Sequence, residues 1–298
     1  MNPDPGPGLS VVIPAYNEEE AVSGVVDRVQ AALAKSGLPH EIIVVDDGSE
    51  DRTAQVLEGK AVRLLQHGVN RGYGAALKTG IRAARYRHVA ILDADGTYEE
   101  EAILRLMEHM TDFDMVVGAR TDGLDNIPPA RRPAKWALGR LADFLAETRI
   151  PDLNSGFRIF DKEIAEEFFQ ILPSKFSFTT TITMAMLTNG YSVKFVPTNY
   201  RKRKGDSKIR PVRDTVNFFS LLVRTAVYFA PLKVFMPLSF FFIGLGLLKM
   251  IVLDVLIIQN VTDTTILFIV AGIQIGMLGL LADLIDKRSI PRGKGGRK

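Results

Sequence analysis

Two aspartates in the segment LDADGTY, Asp93 and Asp95, have the type and spacing of a divalent-metal site. They follow the apolar run HVAI, so both carboxylates are expected on one turn at the end of a strand. Two carboxylates that close repel each other, and each needs a counter-charge or a proton. Mg²⁺ or Mn²⁺ would supply the counter-charge, because these ions prefer oxygen ligands and often bridge to substrate phosphates. The alternative is a turn-forming aspartate pair without a metal.

A second acidic pair, Asp46 and Asp47 in VVDDGS, ends another strand-like run. One carboxylate is expected to cap the helix that follows, and the other to accept hydrogen bonds from a base or ribose. In NRGYGAALKTG (70–80) the glycines allow close approach of the backbone to a ligand, and Lys78 is expected near a diphosphate. The segment does not match GxxxxGK[ST], and no Rossmann glycine fingerprint precedes a helix. These residues predict a metal–nucleotide site at the strand tips.

Composition excludes several other chemistries. The 298-residue chain has no cysteine, which excludes disulfides, thiolate metal sites and cysteine nucleophiles. Its four histidines are scattered without metal-ligand spacing. The net charge of +3 is too small to predict a nucleic-acid partner, but basic residues cluster at 201–213 and 287–298, beside apolar segments. The first ten residues have neither a basic nor an apolar signal-peptide region, so we expect the N-terminal part to be cytoplasmic.

The elements that must position these residues are those of an α/β protein. Residues 9–120 alternate short apolar runs with stretches of helical periodicity, which predicts a mostly parallel sheet with helices on both faces. Ligands bind such sheets at the carboxyl ends of the strands. Residues 121–136 predict a polar loop, either a plain surface loop or one that closes over substrate. A helix is expected over 138–150, and strands at the end of 150–160 and within 191–200.

The C-terminal third has the pattern of a membrane anchor. Residues 216–230 predict an amphipathic helix at a membrane surface. Two apolar stretches, about 234–258 and 265–285, are each long enough for a bilayer core of about 30 Å, which needs about 20 residues. The connector between them lacks Lys and Arg while both flanks are rich in them, so both ends are expected in the cytoplasm. Buried helices of a soluble core are the alternative.

Charged residues inside these apolar stretches are expected to pair with other polar groups. Lys249 and Asp254 lie within the first span, where charge is costly in lipid. We expect Asp254 near the outer interface and Lys249 facing the second helix near Gln274. The segment GIQIG (272–276) has small residues spaced for close helix packing, which also allows a homo-oligomer through the spans.

Five segments in this order resemble a known family: SVVIPAYNEEE, VVDDGSEDRT, LDADGTY, DLNSGFRIF and KGDSK. They are similar to the inverting glycosyltransferases of family 2, which have the GT-A fold. Among these, the chain most resembles the polyisoprenyl-phosphate glycosyltransferases typified by dolichol-phosphate mannose synthase. The resemblance covers roughly residues 9–230, and the two C-terminal helices match the membrane-anchored members.

The resemblance implies a domain plan and a reaction. A cytoplasmic, Rossmann-like GT-A domain would span 1–211, an amphipathic juxtamembrane helix 212–231, two transmembrane helices 232–286 and a basic cytoplasmic tail 287–298. The protein would transfer a sugar, mannose or glucose, with inversion from a nucleotide diphosphate sugar such as GDP-mannose to a polyprenyl or dolichyl monophosphate. The lipid bilayer would be a further partner. The reaction would require Mg²⁺ or Mn²⁺.

The resemblance also implies a role for each matching residue. The donor nucleotide would contact Pro14, Tyr16, Asn17, Glu18, Asp46, Asp47, Lys78, Asp93 and Ala94. Asp93 and Asp95 would bind the metal, and Asp95 and Asp152 would be catalytic. The acceptor phosphate would contact Arg120, Arg131, Ser155, Arg158, Arg203, Ser207 and Lys208. In the mannose synthases a glutamine two residues beyond the second aspartate also helps to hold the metal; here Thr97 stands at that position.

Other functions remain open at this point. Processive polysaccharide synthases carry a Gln-x-x-Arg-Trp motif, but the single tryptophan here, Trp136, follows AK. A transferase to another lipid, such as diacylglycerol, would have a similar anchor; the basic run at 201–213 favours an acceptor that carries a phosphate, although it also suits anionic lipid in general. A non-catalytic scaffold is the third alternative, and the presence of Asp93, Asp95 and Asp152 argues against it.

Overall fold

The computed structural model describes residues 8–120, 132–175, 177–201, 227–228, 230–258 and 260–289. Its N-terminal part is a seven-stranded sheet with helices on both faces, and its C-terminal part is a pair of long antiparallel helices. The predicted α/β fold is confirmed.

The sheet is mixed, with one strand reversed. Its strands are β1 (Leu9–Ala15), β2 (His40–Asp46), β3 (Arg63–Gln66), β4 (His88–Ile91), β5 (Met115–Arg120), β6 (Arg158–Asp161) and β7 (Val193–Thr198), in the order β3-β2-β1-β4-β6-β5-β7. Only β6 runs antiparallel to its neighbours, β4 and β5. Because β6 is reversed, the segment that enters it lies at the carboxyl end of β4, where Asp93 and Asp95 follow.

Within the described residues, six helices accompany the sheet: α1 (Val22–Ala34), α2 (Tyr73–Ala83), α3 (Ile103–Glu108), α4 (Arg132–Ala146), α5 (Lys162–Glu167) and α6 (Phe178–Thr188). Short 3₁₀ turns occur at Gln55–Leu57, Glu100–Ala102 and His109–Thr111. The loop predicted over 121–136 is too long, because α4 begins at Arg132; proline at its second residue is tolerated in a first helical turn. Residues 121–131 lie outside the described residues.

The core has a layer on each face of the sheet. Along β1, Val11 and Ile13 pack under α1, whereas Val12 between them packs under α2. Strand β2 alternates in the same way, with Val44 on one face and Val45 on the other. Covering both faces explains why the strands are apolar at nearly every position.

The C-terminal helices are α7 (Pro231–Lys249), which continues as a π-helical segment over Met250–Ile258, and α8 (Asp263–Ser289). Both are long and apolar enough to cross a membrane. Many of their large apolar side chains are exposed, unlike those of a soluble core helix; examples are Phe240, Leu256, Leu267 and Met277. Ser239 Oγ donates to the Gly272 carbonyl at 2.7 Å, which confirms the close approach predicted for the GIQIG segment.

Lys249 does not face Gln274, so that prediction is wrong. Its ammonium group donates to Asp254 Oδ1 at 2.9 Å and to the hydroxyls of Thr262 and Thr265 at 2.5 and 3.1 Å. The antiparallel register explains the difference, because it sets this part of α7 against the first turn of α8. Asp254 is fully buried beside the connector, where its other oxygen accepts from the Thr262 backbone and the Thr265 hydroxyl.

The sheet domain joins the helical pair through a small apolar cluster. Leu145 of α4 and Leu153, which precedes β6, pack there with Val234 in the first turn of α7. Lys233 Nζ donates to Glu147 Oε1 at 2.6 Å and to the Leu145 carbonyl at 3.2 Å. Residues 202–226, which include most of the predicted amphipathic helix, lie outside the described residues.

Candidate active site

A cavity of about 420 Å³ opens at the carboxyl ends of β1, β2 and β4. This is the edge of the sheet where the sequence predicted a ligand site. Its lining combines acidic and hydroxyl side chains with apolar ones: Pro14, Ala15, Tyr16, Glu18, Asp47, Asn70, Gly72, Tyr73, Ala76, Asp93, Ala94, Asp95, Asn154, Gly156, Ser177, Thr179 and Thr180.

The loop after β1 is held in place by hydrogen bonds to the loop after β2. The Asn17 N–H donates to Ser49 Oγ at 3.0 Å, and the Asn17 side chain accepts from the Glu50 N–H at 2.9 Å. The Glu18 N–H donates to Thr53 Oγ1 at 2.9 Å. Asn17 adopts a positive φ of 54°, a conformation in which asparagine is enriched. Of this loop, Tyr16 and Glu18 line the cavity, whereas Asn17 supports it.

Asp46 and Asp47 each accept hydrogen bonds from backbone N–H groups, but of different loops. Asp46 accepts from the Ser49 N–H at 2.9 Å and thus caps the turn after β2. Asp47 accepts from the N–H groups of Arg71 and Gly72 at 3.0 and 2.7 Å, and from His67 Nδ1 at 2.6 Å. Asp47 therefore fixes the glycine-bearing loop that leads into α2, and it is the member of the pair that lines the cavity.

Asp93 lies half-buried at the base of the cavity. Its Oδ1 accepts a hydrogen bond of 2.7 Å from the Tyr73 hydroxyl. Its carboxylate packs against the backbone of Gly156, where a Cβ atom would overlap both carboxylate oxygens. The segment that enters β6 can therefore pass over Asp93 only with glycine at this position.

Asp95 is oriented by its own turn. Its Oδ1 accepts from the Thr97 N–H at 3.1 Å and from the Thr97 hydroxyl at 2.6 Å. Gly96 between them has a φ of +69°, which glycine adopts without strain. Thr97, the residue at the glutamine position of the mannose synthases, is thus a support for Asp95, and it is fully buried.

The two aspartates have the chemistry of a divalent-cation site. Burial, and then the charge of Asp95, raise the pKa of Asp93 to about 6, as expected for two nearby carboxylates without a counter-ion. Within the described part of the chain, no group of three His, Asp or Glu side chains converges on one point. Mg²⁺ or Mn²⁺ held by Asp93 and Asp95 would therefore complete its shell from phosphate oxygens and water, a common arrangement for Mg²⁺.

Asp152 is locked in an ion pair. Arg120 Nε donates to its Oδ2 at 2.6 Å and Nη2 donates to its Oδ1 at 2.8 Å, a bidentate pair that the backbone N–H of Asn154 supports at 3.1 Å. Burial tends to raise the pKa of Asp152, but the hydrogen bonds and charge of Arg120 bring it below its ordinary value. Asp152 is therefore a weak base. Arg120, for which the resemblance implies contact with the acceptor phosphate, uses Nε and Nη2 to bind this carboxylate.

Two other residues assigned to the acceptor face inward. Ser155 is fully buried and donates to the Gly118 carbonyl at 2.6 Å. Arg158 is also fully buried; it donates to the Thr179 carbonyl at 2.9 Å, to Thr183 Oγ1 at 2.7 Å and to the Ser155 carbonyl. Neither side chain lines the cavity, so direct contact with an acceptor phosphate is not what they provide. They brace the segment that enters β6.

The remaining predicted residues fall into three groups. Pro14 and Ala94 line the cavity as expected. Lys78 does not, because its ammonium group donates to the Leu172 carbonyl at 2.5 Å. The other predicted acceptor residues lie outside the described residues: Arg131, Arg203, Ser207 and Lys208.

Sequence reasoning missed the wall opposite the strand tips. It is formed by Tyr73 at the start of α2, Asn154, and Thr179 and Thr180 at the start of α6. Thr180 Oγ1 donates to Asn154 Oδ1 at 2.6 Å, which joins α6 to the segment that enters β6. The sequence could have pointed to Tyr73, because it stands between two glycines in NRGYGAAL. It could not have pointed to Thr179 and Thr180, because they lie far along the chain from the other residues of the site.

Fold and site together define a glycosyltransferase of the GT-A class. Residues 10–169 match glycosyl transferase family 2, and residues 230–287 match the GtrB C-terminal hairpin. The chain belongs to glycosyl transferase family 2, as the resemblance predicted.

Individual relatives agree with this assignment. A dolichyl-phosphate hexose transferase of Haloferax volcanii is 31% identical over 208 residues, which cover 68% of this chain and 87% of that protein. A dodecaprenyl-phosphate galacturonate synthase of Rhizobium johnstonii is 25% identical over 94% of this chain and 88% of its own length. The fold matches glucosyl-3-phosphoglycerate synthase of Mycobacterium tuberculosis, crystallised with Mn²⁺, UDP and phosphoglyceric acid, with a TM-score of 0.59 and 20% identity over 74% of this chain and 79% of that one.

Proposed function

We propose that this protein transfers a sugar, with mannose and glucose as the first candidates, from a nucleoside diphosphate to a polyprenyl or dolichyl monophosphate at a membrane surface. The relatives support the acceptor class, since the names of several include dolichyl, dodecaprenyl or undecaprenyl phosphate. The GtrB-type hairpin supports attachment to the membrane.

One observation supports a lipid acceptor: an apolar cluster connects the segment that enters β6, which forms part of the cavity wall, to the start of α7. Leu153 belongs to the apolar cluster against which Val234, in the first turn of α7, is packed, and Asn154, the residue after Leu153, lines the cavity. If α7 enters the bilayer near its first turn, this side of the cavity lies at headgroup depth. The phosphate of a prenyl phosphate lies at that depth. A soluble acceptor would not require its binding site to lie close to the bilayer.

The state of Asp152 suits such an acceptor. A phosphomonoester has a second pKa of about 6, so most of it is a dianion at neutral pH and needs no general base. Its oxygen attacks the anomeric carbon, a new carbon–oxygen bond forms, and the bond to the nucleoside diphosphate breaks with its electron pair. The lipid phosphate becomes a diester monoanion and no proton has to move. Asp152, paired with Arg120, then serves to shape the site.

The donor would lie along the strand tips, between the loop after β1 and the loop that Asp47 holds. Asp93 and Asp95 would hold Mg²⁺ or Mn²⁺ against the diphosphate. A bound ion of this kind stabilises the charge that grows on the leaving diphosphate. As in its family, attack opposite the leaving group would convert an α-linked donor into a β-linked lipid product.

A transfer assay tests this proposal. Full-length protein in lipid nanodiscs would receive radiolabelled GDP-mannose, UDP-glucose or UDP-GlcNAc with polyprenyl monophosphate, with Mn²⁺ or with EDTA. We expect acid-labile lipid label from one donor, lost with EDTA and in Asp95→Asn, and kept in the control Asp112→Asn, an exposed aspartate away from the cavity. Label on diacylglycerol or free polyprenol, or none from a folded protein that binds nucleotide, would contradict the proposal.

We also propose that the sheet domain and both chain ends lie in the cytoplasm. The chain has no cysteine, so single cysteines can be introduced as labels. In sealed cells a membrane-impermeant maleimide should label Val261→Cys in the connector, and label Glu58→Cys in the sheet domain only after permeabilisation. The reverse pattern would overturn the orientation.

A further inference from the structure

Helix α4 has an aromatic face that takes no part in the site described above. Trp136 is 68% exposed and Phe144 is 56% exposed, and Arg140, which is also exposed, stands between them. Their spacing of four residues places these three side chains on one side of the helix. On the other side, Ala142 and Leu145 are buried in an apolar cluster. Trp136, Arg140 and Phe144 are called the outer face of α4 below.

Exposed apolar side chains of this size are few on the sheet domain. Among its side chains that the structure describes, four large apolar ones are exposed: Tyr16, Val69, Trp136 and Phe144. Tyr16 lines the cavity, and Val69 lies in the loop after β3. Single exposed apolar residues are normal on a protein surface, whereas several on one face mark a surface that contacts another protein or a membrane. The outer face of α4 therefore needs a partner.

One end of this face lies beside the start of the helical hairpin. The ammonium group of Lys233, in the first turn of α7, is 5.6 Å from the centre of the Phe144 ring, within the range of a cation–π interaction. The same group donates to the Leu145 carbonyl at 3.2 Å, and Val234 packs against the cluster that contains Leu145. Phe144 is therefore held at the level of the first turn of α7. Trp136 lies about 12 Å further along the axis of α4.

The length of α7 places its first turn in the headgroup layer of a bilayer. The apolar helix Pro231–Ile257 has 27 residues, or about 40 Å at 1.5 Å per residue. This exceeds a hydrocarbon core of about 30 Å, so about 10 Å of the helix extends into the headgroup layers. Lys233 is charged and its turn therefore belongs to such a layer, because charge is costly in the core. Tryptophan is enriched at this depth, where its ring contacts both acyl chains and headgroups.

We propose that α4 is an interfacial helix whose outer face lies on the lipid bilayer. Trp136 and Phe144 insert among the headgroups, and Arg140 between them contacts lipid phosphates. This gives the sheet domain a second contact with the membrane besides α7. Because the opposite side of α4 shares an apolar cluster with Leu153, the contact also fixes the tilt of the cavity wall that Asn154 forms. The inference rests on the proposed attachment to the membrane and does not depend on sugar transfer.

Fluorescence of the full-length protein in nanodiscs tests this contact. Trp136 is the single tryptophan of the chain, so the emission of the unaltered protein reports on the outer face of α4 alone. Lipids brominated near the top of their acyl chains should quench this emission strongly, and iodide in the water should quench it little. Phe144→Trp in a Trp136→Phe background should give the same result.

Two further tryptophans in the Trp136→Phe background are the controls. Phe240→Trp, at an exposed position of the first span, should be quenched by the brominated lipids and shows that the hairpin is in the bilayer. Val69→Trp is matched in exposure, since Val69 is 67% exposed, and it follows β3 at the edge of the sheet. It should be quenched by iodide and not by the lipids.

The two quenchers distinguish the other partners that this face could have. Quenching of Trp136 by iodide alone would mean that the face lies in water, and quenching by neither would mean that protein covers it, either another segment of the chain or a second copy. Each result would overturn the inference while Phe240→Trp still reports attachment. If the brominated lipids quenched neither Trp136 nor Phe240→Trp, the attachment to the membrane would fail together with the inference.

Discussion

The hydroxyl of Tyr73 donates a hydrogen bond of 2.7 Å to Asp93 Oδ1, so the first residue of α2 orients the carboxylate at the end of β4. Groups that hydrogen-bond a metal ligand in this way typically change metal affinity or activity 10- to 100-fold when removed. Tyr73→Phe should therefore raise the Mn²⁺ concentration for half-maximal activity roughly 10-fold. A Mn²⁺ titration of the transfer rate checks this.

Tyr191→Phe provides the control for that titration. Its hydroxyl donates to Glu167 Oε2, also at 2.7 Å, but on the surface and away from the cavity. It should leave the Mn²⁺ dependence unchanged. Equal titrations for Tyr73→Phe and wild type would mean that Asp93 is oriented without the phenol.

Gly156 is expected to tolerate no side chain. A Cβ at this position overlaps the Asp93 carboxylate, so Gly156→Ala must move either Asp93 or the segment entering β6. A displacement of about 1 Å at reacting groups can cost roughly 100-fold in rate, and we expect a loss of at least that size. Gly139→Ala in α4 is the control, because nothing lies within 4 Å of its added Cβ and alanine favours a helix. Normal activity in Gly156→Ala would contradict the observed packing.

The pH dependence of metal binding follows from Asp93. Burial and Asp95 raise its pKa from 3.8 to about 6 in the metal-free fold, so the folded chain holds this proton more tightly than the unfolded chain does. The stability that this group contributes is full below pH 3.8 and is lost as the pH rises through about 6. A metal ion reverses the trend, because it binds the ionised form.

Thermal unfolding with Mn²⁺ or EDTA tests that reasoning. The rise in Tm caused by Mn²⁺ should be small at about pH 5 and should reach its full size above about pH 7. Asp93→Asn should remove both the rise and its pH dependence. Equal stabilisation by Mn²⁺ at both pH values would show that Asp93 is not a ligand.

The charged pair at the far end of the hairpin should behave as a unit. Lys249 and Asp254 are paired at 2.9 Å, with Asp254 fully buried, so removing either one leaves an uncompensated charge. Lys249→Met and Asp254→Leu should each lower the stability of the protein in micelles, and the double variant should recover much of the loss. Unfolding by detergent titration measures this, and additive losses would contradict the pairing.

Local sequence patterns predicted the parts of the fold that depend on neighbours in the chain. The position of Asp93 and Asp95 at a strand end could be predicted because the apolar run HVAI comes just before them. The helical hairpin could be predicted because its two apolar stretches are long enough for a bilayer. Strands that are apolar throughout indicated that both sheet faces are covered, as Val44 and Val45 show.

Features that depend on distant partners could not be predicted. The direction of β6 is set by its pairing with β4 and β5. Arg158 has the side chain of a surface residue, yet α6 supplies a carbonyl and a hydroxyl that allow it to be buried. Helix α6 itself, FTTTITMAMLT, is rich in threonine and largely buried, so it shows neither high helix propensity nor an amphipathic period.

The apolar cluster that contains Leu153, with Val234 packed against it, also bears on how such enzymes can be recombined. A chimaera that joined this transferase domain to two unrelated apolar helices would still reach the bilayer. It would lack Val234, which packs against the cluster that contains Leu153. We therefore regard the anchor as part of the catalytic scaffold, so that domain and hairpin must be exchanged together if activity is to survive.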